Sequence, residues 1–170
     1  MLPDTKLTLD FNLYQFLHSQ TAERIPKLRE KQYSPSTDVV KEIKKTAILL
    51  QRIYDKLKTE YEDDRVQIVI SSGYRCPELN KMIGGSKTSD HMYGRAVDFK
   101  IILNGKESGN IYKKAIELIY NNFEFYQLIW EYGTNSQPSW LHLSQREGNN
   151  KKQLLKIGSY TGNKYIEFKI

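Results

Sequence analysis

The clearest periodic stretch in the chain is SPSTDVVKEIKKTAILLQRIYDKLKTEY, in which Val39, Ile43, Ala47, Leu50, Ile53 and Leu57 recur at helical spacing. Ser36, Thr37 and Asp38 offer capping oxygens at its start, so a helix from about 37 to 60 is predicted. Period two appears next: in VQIVIS, residues 66–71, Val66, Ile68 and Ile70 alternate with Gln67 and Val69, and a Ser-Gly turn follows. Pro77 suits the first turn of a short helix over about 77–84, closed by Gly84-Gly85. Residues 96–103 read as a second strand, GKESGN as a loop, and IYKKAIELIYNNF as an amphipathic helix. Strands are expected at about 124–131 and 140–144, joined by the turn-rich GTNSQPS, with KYIEFKI as a last strand. Residues 8–20 begin as an extended piece and continue as a short helix. Helices first and a mixed set of strands after them predict an α+β fold, a small mostly antiparallel sheet packed with helices. The expectation is one domain over 1–170 with a helical N-terminal part at about 8–60.

Composition narrows the class. The 170 residues are 39% hydrophobic and 27% charged, the balance of a globular protein. Twelve tyrosines and two tryptophans supply large buried areas for a chain of this length. The single cysteine, Cys76, rules out an internal disulfide and a thiolate zinc site of the finger type. Cys76 has no matched His-Asn arrangement that would make it a nucleophile. No stretch reaches the roughly 18 apolar residues of a membrane span. The N-terminal MLPDTKLTLDFNLYQFLHSQ lacks the basic start, apolar block and cleavage site of a signal peptide. The expectation is a protein made in the cytoplasm. The net charge of +6 suits anionic partners, such as nucleic acid, acidic membranes or wall polymers. Its spread along the chain, with acids interleaved, gives no reason to expect specific nucleic-acid binding.

Three histidines are present, His18, His91 and His142. His91 lies in TSDHMYGRA and Asp98 follows inside AVDFKII, where Val97, Phe99 and Ile101 share one strand face and Asp98 takes the other. Small Ala96 leaves room beside Asp98, and Gly94 lets the chain turn back toward His91. A mid-strand aspartate needs a partner, and a cation is one. In WLHLS, Leu141 and Leu143 face one way, and Trp140, His142 and Ser144 the other. Two histidines and one carboxylate form a zinc-enzyme ligand set with a fourth position for water. The plainer reading is an Asp-His hydrogen bond on a polar face. Glu131 closes FEFYQLIWE, and the simplest hairpin register sets it opposite Trp140 and sets Ile129 opposite His142. It is then either a general base on the His142 face or a surface glutamate at a strand end. Arg75 offers a fork for a substrate carboxylate, or pairs structurally with Glu78 or Asp98. Ser89 and Asp90 stand next to His91 as orienting groups. Tyr93 and Trp140 either wall a cleft or belong to the core.

The stretch SSGYRCPELNKMIGGSKTSDHMYGRAVDFKI resembles the signature region of the zinc D-Ala-D-Ala carboxypeptidases and related phage endolysin peptidases, which share the hedgehog/DD-peptidase fold. That family reads Ser-Gly-Tyr-Arg, then Ser-x-His-x-x-Gly-x-Ala-x-Asp, then Trp-x-His. Here these are Ser72 to Arg75, Ser89 to Asp98, and Trp140 to His142. The opening FNLYQFLHSQTAERI is similar to the helical start of the subgroup found in phages and mobile elements, and the likeness spans roughly residues 8–145.

The resemblance implies that His91, Asp98 and His142 bind Zn2+ and that Arg75 binds substrate near its carboxylate; Ser89, Tyr93 and Trp140 are expected as further substrate-site residues from their places in the sequence. It implies cleavage next to D-amino acids in peptidoglycan peptides, by a carboxypeptidase or an endopeptidase; a monomer that acts on the cell wall is expected, and the phage-like start without a signal peptide points to a phage or prophage origin. Many members carry the catalytic acid three residues before the last histidine, where this chain has Ser139. In the subgroup most like this chain a glutamate closes the preceding strand, which carries the base role to Glu131. The rival reading is a non-catalytic, zinc-stabilised wall-binding or virion structural domain.

Overall fold

A helix that opens on Ser36 and a sheet that closes around WLHLS organise the computed structural model, which describes residues 5–61 and 65–169. The helices are α1 (Leu13–Leu17), α2 (Gln20–Glu23), α3 (Pro26–Gln32), α4 (Thr37–Tyr61), α5 (Pro77–Met82) and α6 (Gly109–Asn122). The strands are β1 (Val66–Ser72), β2 (Ala96–Leu103), β3 (Gln127–Glu131), β4 (Trp140–Ser144), β5 (Gln153–Ile157) and β6 (Ile166–Glu167). The fold is α+β, as the pattern predicts. Its residues gather into two compact units, one within Met1–Gln51 and Ser72–Val97, the other within Arg52–Ser71 and Asp98–Ile170.

In the first unit, short helices are cut by local chemistry. Asn12 caps α1 through Gln15 in a reciprocal box, Ser19 caps α2 and Pro26 opens α3. Phe11, Leu13, Phe16, Leu17 and Leu28 are buried, as are Ile43, Ala47 and Leu50 from the first half of α4. Gln32 of α3, fully buried, bonds three backbone groups. Its Nε2 donates to Leu17 O at 2.8 Å and Tyr74 O at 2.7 Å, and its Oε1 accepts from Cys76 N at 2.9 Å. The amide of Tyr74 also donates to Phe16 O at 2.7 Å. The N-terminal helices thus act as a bracket for the segment Gly73–Cys76.

In the second unit, the six strands lie in the order β1-β2-β4-β3-β5-β6. β3 runs antiparallel to β4 and parallel to β5, and β6 is antiparallel to β5. Ile53 and Leu57 of α4 are buried, and α6 buries Tyr112, Ala115, Ile116 and Ile119. The Tyr112 hydroxyl accepts from Ile101 N and donates to Glu107, which ties α6 to β2.

Several boundaries differ from the sequence reading. Strand β3 starts at Gln127 rather than near 124, because residues 123–126 carry the chain from α6 into the sheet. KYIEFKI contributes only Ile166–Glu167 as strand, and Ile170 lies outside the described residues. Strand β5 was not expected. Its Leu154 and Leu155 are both buried, so it reads as an apolar pair without alternation.

Candidate functional site

Within the first unit, His91 sits in a turn of 3-10 helix, Asp90–Tyr93, inside the expected loop. The turn ends at Gly94, with φ at 72°, where a side chain would strike Val39 O and Ile43. Thr46 Oγ1 donates to Gly94 O at 2.8 Å, and Arg95 pairs with Glu42 at 3.0 Å, so α4 fixes the end of this turn. His91 is 1% exposed. Its Nδ1 lies 2.6 Å from Gly73 O. A carbonyl only accepts, so Nδ1 carries the proton and the neutral ring keeps its lone pair on Nε2. Histidine ligands are commonly oriented in this way. Gly73 itself packs directly on the Phe16 backbone, where a Cβ would lie 2.5 Å from Phe16 O. Sequence reading missed this role of Gly73, although its place before Tyr74-Arg75 was visible. The amide of Arg75 donates to His91 O at 3.1 Å, which closes the link between the two segments.

Arg75 itself is partly exposed. The expected structural partner Glu78 is engaged with Lys31. Ser89 is partly exposed at the start of the 3-10 turn, and its carbonyl accepts from Met92 N at 3.1 Å. Asp90 is buried, and its carbonyl accepts from Arg95 N at 3.0 Å. Tyr93 is exposed, with the Arg95 guanidinium 5.5 Å from its ring centre. His18 is exposed and contacts Tyr14 and Tyr33.

Within the second unit, Asp98 is held mid-strand in β2, and the Ser71 hydroxyl donates to its carbonyl at 3.1 Å. His142 Nδ1 lies 2.8 Å from Asp98 Oδ1, with both side chains buried. The β3–β4 register pairs Glu131 with Trp140 and Ile129 with His142, as the hairpin reading requires. Trp140 Nε1 donates to Glu131 Oε2 at 2.7 Å. Tyr132, at φ 53°, turns the chain sharply after Glu131 and sets its ring 5.3 Å from that of Trp140. The amide of Ser139, in the position where many relatives by resemblance carry the acid, donates to Glu131 O at 2.9 Å. Beyond the wall or core role expected for Trp140, its indole N–H holds a carboxylate, a pairing hinted at by the register alone.

One donor atom each from His91, Asp98 and His142 lies within 4.8 Å of the others, and all three residues are buried. Tetrahedral zinc with bonds near 2.0–2.1 Å separates its ligand atoms by roughly 3.3 Å. The Asp98–His142 pair need open only slightly to meet that spacing. Two imidazoles and a carboxylate, one ring pre-oriented by a backbone carbonyl, are a donor set that zinc accepts. The group is able to bind a metal ion.

Among the described residues, no helix is long and apolar enough to cross a membrane. No curated protein matches the chain. The family model described as Peptidase M15 matches residues 24–144, well over half of the chain, and includes every residue named above as a ligand or as Glu131. The buried His-Asp-His group agrees with the metal dependence of that family, and the chain belongs to the peptidase M15 family of metallopeptidases.

Proposed function

We propose that this chain hydrolyses peptide bonds next to D-amino acids in peptidoglycan, as a carboxypeptidase or an endopeptidase, with zinc held by His91, Asp98 and His142. The observation that carries the reading is the buried ligand group, with Glu131 on the same strand pair as His142. Bound zinc would supply Lewis acidity to the scissile carbonyl and acidify water.

The protein's own residues do the rest. Glu131 takes the proton of the attacking water and passes it to the leaving amine. Trp140 keeps that carboxylate in one orientation through its indole N–H. The hydrogen bond of His91 to Gly73 sets the imidazole tautomer before substrate arrives. Arg75 binds the peptide through a carboxylate, in a fork geometry that lysine does not reproduce. Ser89, Tyr93 and Trp140 contribute further substrate contacts. The place of action is the wall, consistent with the phage or prophage origin that the sequence resemblance suggests.

Mass spectrometry of muropeptides after incubation with the protein tests this. The expected products lose a terminal D-Ala or an interpeptide cross-link. Glu131→Gln is expected to keep zinc and slow cleavage by roughly 10²–10⁴-fold, the range of a lost general base. Unchanged muropeptides with zinc-loaded wild type, or a Glu131→Gln variant of normal rate, overturns the reading.

A further inference from the structure

The family match ends at residue 144, and the chain continues through β5 and β6. This extension is strongly cationic. From Arg146 to Lys169 it holds six lysines and arginines against two glutamates, which accounts for four of the six net positive charges of the chain. Three of the six, Lys151, Lys152 and Lys169, line one groove. A groove of about 830 Å³ in the second unit is lined by Tyr120, Lys151, Lys152, Gln153, Phe168 and Lys169, among others, and by none of the ligand residues or Glu131.

The lysines here lean on rings. Lys152 Nζ is 5.2 Å from the ring centre of Tyr120, and Lys156, which borders the groove through Phe168 rather than lining it, has Nζ 4.5 Å from that ring centre and 4.9 Å from that of Trp130. Lys151 lies 5.7 Å from the ring of Tyr126, which Arg146 also covers at 3.8 Å. Among the described residues, no ion pair joins Lys151, Lys156 or Lys169 to a carboxylate. Lys152 has Glu124 at 3.5 Å, and Glu167, also on the groove, takes the amide of Gln153 at 3.5 Å. Burial, then the charge of Lys113, makes the Lys156 ammonium easier to deprotonate than usual.

We infer that this edge is a second binding site, which takes a phosphodiester-linked polyol chain of the cell wall and holds the enzyme on its substrate. Repeated negative charge suits a groove lined by Lys151, Lys152 and Lys169. Single-stranded nucleic acid binds through open ring faces on which bases stack, and here a cation already covers a face of Tyr120, Tyr126 and Phe168. A concave groove fits a chain better than a lipid plane. The wall as the source of the polymer rests on the activity proposed above, whereas the binding does not depend on turnover.

Fluorescence anisotropy of a labelled poly(glycerol phosphate) oligomer with the full chain tests the site, and needs no cleavage. Affinity should fall roughly tenfold or more for a fourfold rise in salt. Lys151→Glu combined with Lys169→Glu should weaken it about tenfold, with hydrolysis of soluble muropeptides unchanged. Lys169→Glu alone, at an exposed position, serves if the double variant does not fold, and should weaken binding in the same direction. The proposal is overturned by absence of binding, by wild-type affinity in the variants, or by equal or tighter binding to a single-stranded oligonucleotide of equal charge. Binding to anionic vesicles without binding to the polymer also overturns it. If muropeptides stay intact while the polymer binds, the site stands and the proposed activity falls.

Discussion

Trp140 and Glu131 are register partners on adjacent strands, and the indole N–H of the first donates to the carboxylate of the second at 2.7 Å. A hydrogen bond to a charged group contributes about 1.5–3 kcal/mol. Trp140→Phe keeps a ring against Tyr132 and removes the donor. The expected outcome is a fall in kcat of roughly 10–100-fold, the rate equivalent of that energy, with zinc content unchanged. Steady-state kinetics beside elemental analysis checks it. A variant that loses zinc instead would assign Trp140 to the integrity of the metal site.

Gln32 serves three backbone groups from one buried side chain. Gln32→Leu leaves two carbonyls and an amide without that partner in the interior of the first unit. The cost is expected at roughly 2–4 kcal/mol, or about 5–15 °C in Tm for a chain of this size. Because Gln32 braces the segment that carries Gly73, zinc affinity should weaken as well. Thermal melts and a zinc titration measure the two effects.

Tyr74 is buried, and burial, then the neighbouring Cys76 and Glu78, pushes its phenol up to about 12. The unfolded chain ionises such a phenol near pH 10. The contribution is therefore fully present below about pH 10 and is lost as pH rises from there through about 12. The loss amounts to roughly 2–3 kcal/mol. Tyr74→Phe has no phenol to ionise and should flatten this part of the alkaline decline. Melts from pH 9 to 12, wild type against variant, show whether it does.

The parts of the fold that were legible in the sequence are those where one face is buried and the other wet. Helix α4, expected over about 37–60, spans Thr37–Tyr61, and β1 and β2 fall where their alternation or flanking signals put them. The Glu131–Trp140 and Ile129–His142 pairings followed from the simplest hairpin register. Strand β5 escaped because Leu154 and Leu155 are both buried, which removes the period of two. Helix α1 lies within the short helix expected over 8–20, whereas α2 and α3 were not separately expected, although Ser19 and Pro26 mark their starts. Of the site, the ligand types and their facing were readable. The carbonyl of Gly73 that orients His91, and the Trp140 donor to Glu131, depend on contacts between distant residues that no local pattern encodes.

The most direct measurement is the zinc content of the purified protein by elemental analysis, with His91→Ala, Asp98→Ala and His142→Ala as companions. The proposed zinc site predicts one tightly held zinc per chain in the wild type and close to none in each variant. A folded wild-type protein that takes up no zinc when it is supplied, or variants that keep a full equivalent, would contradict it.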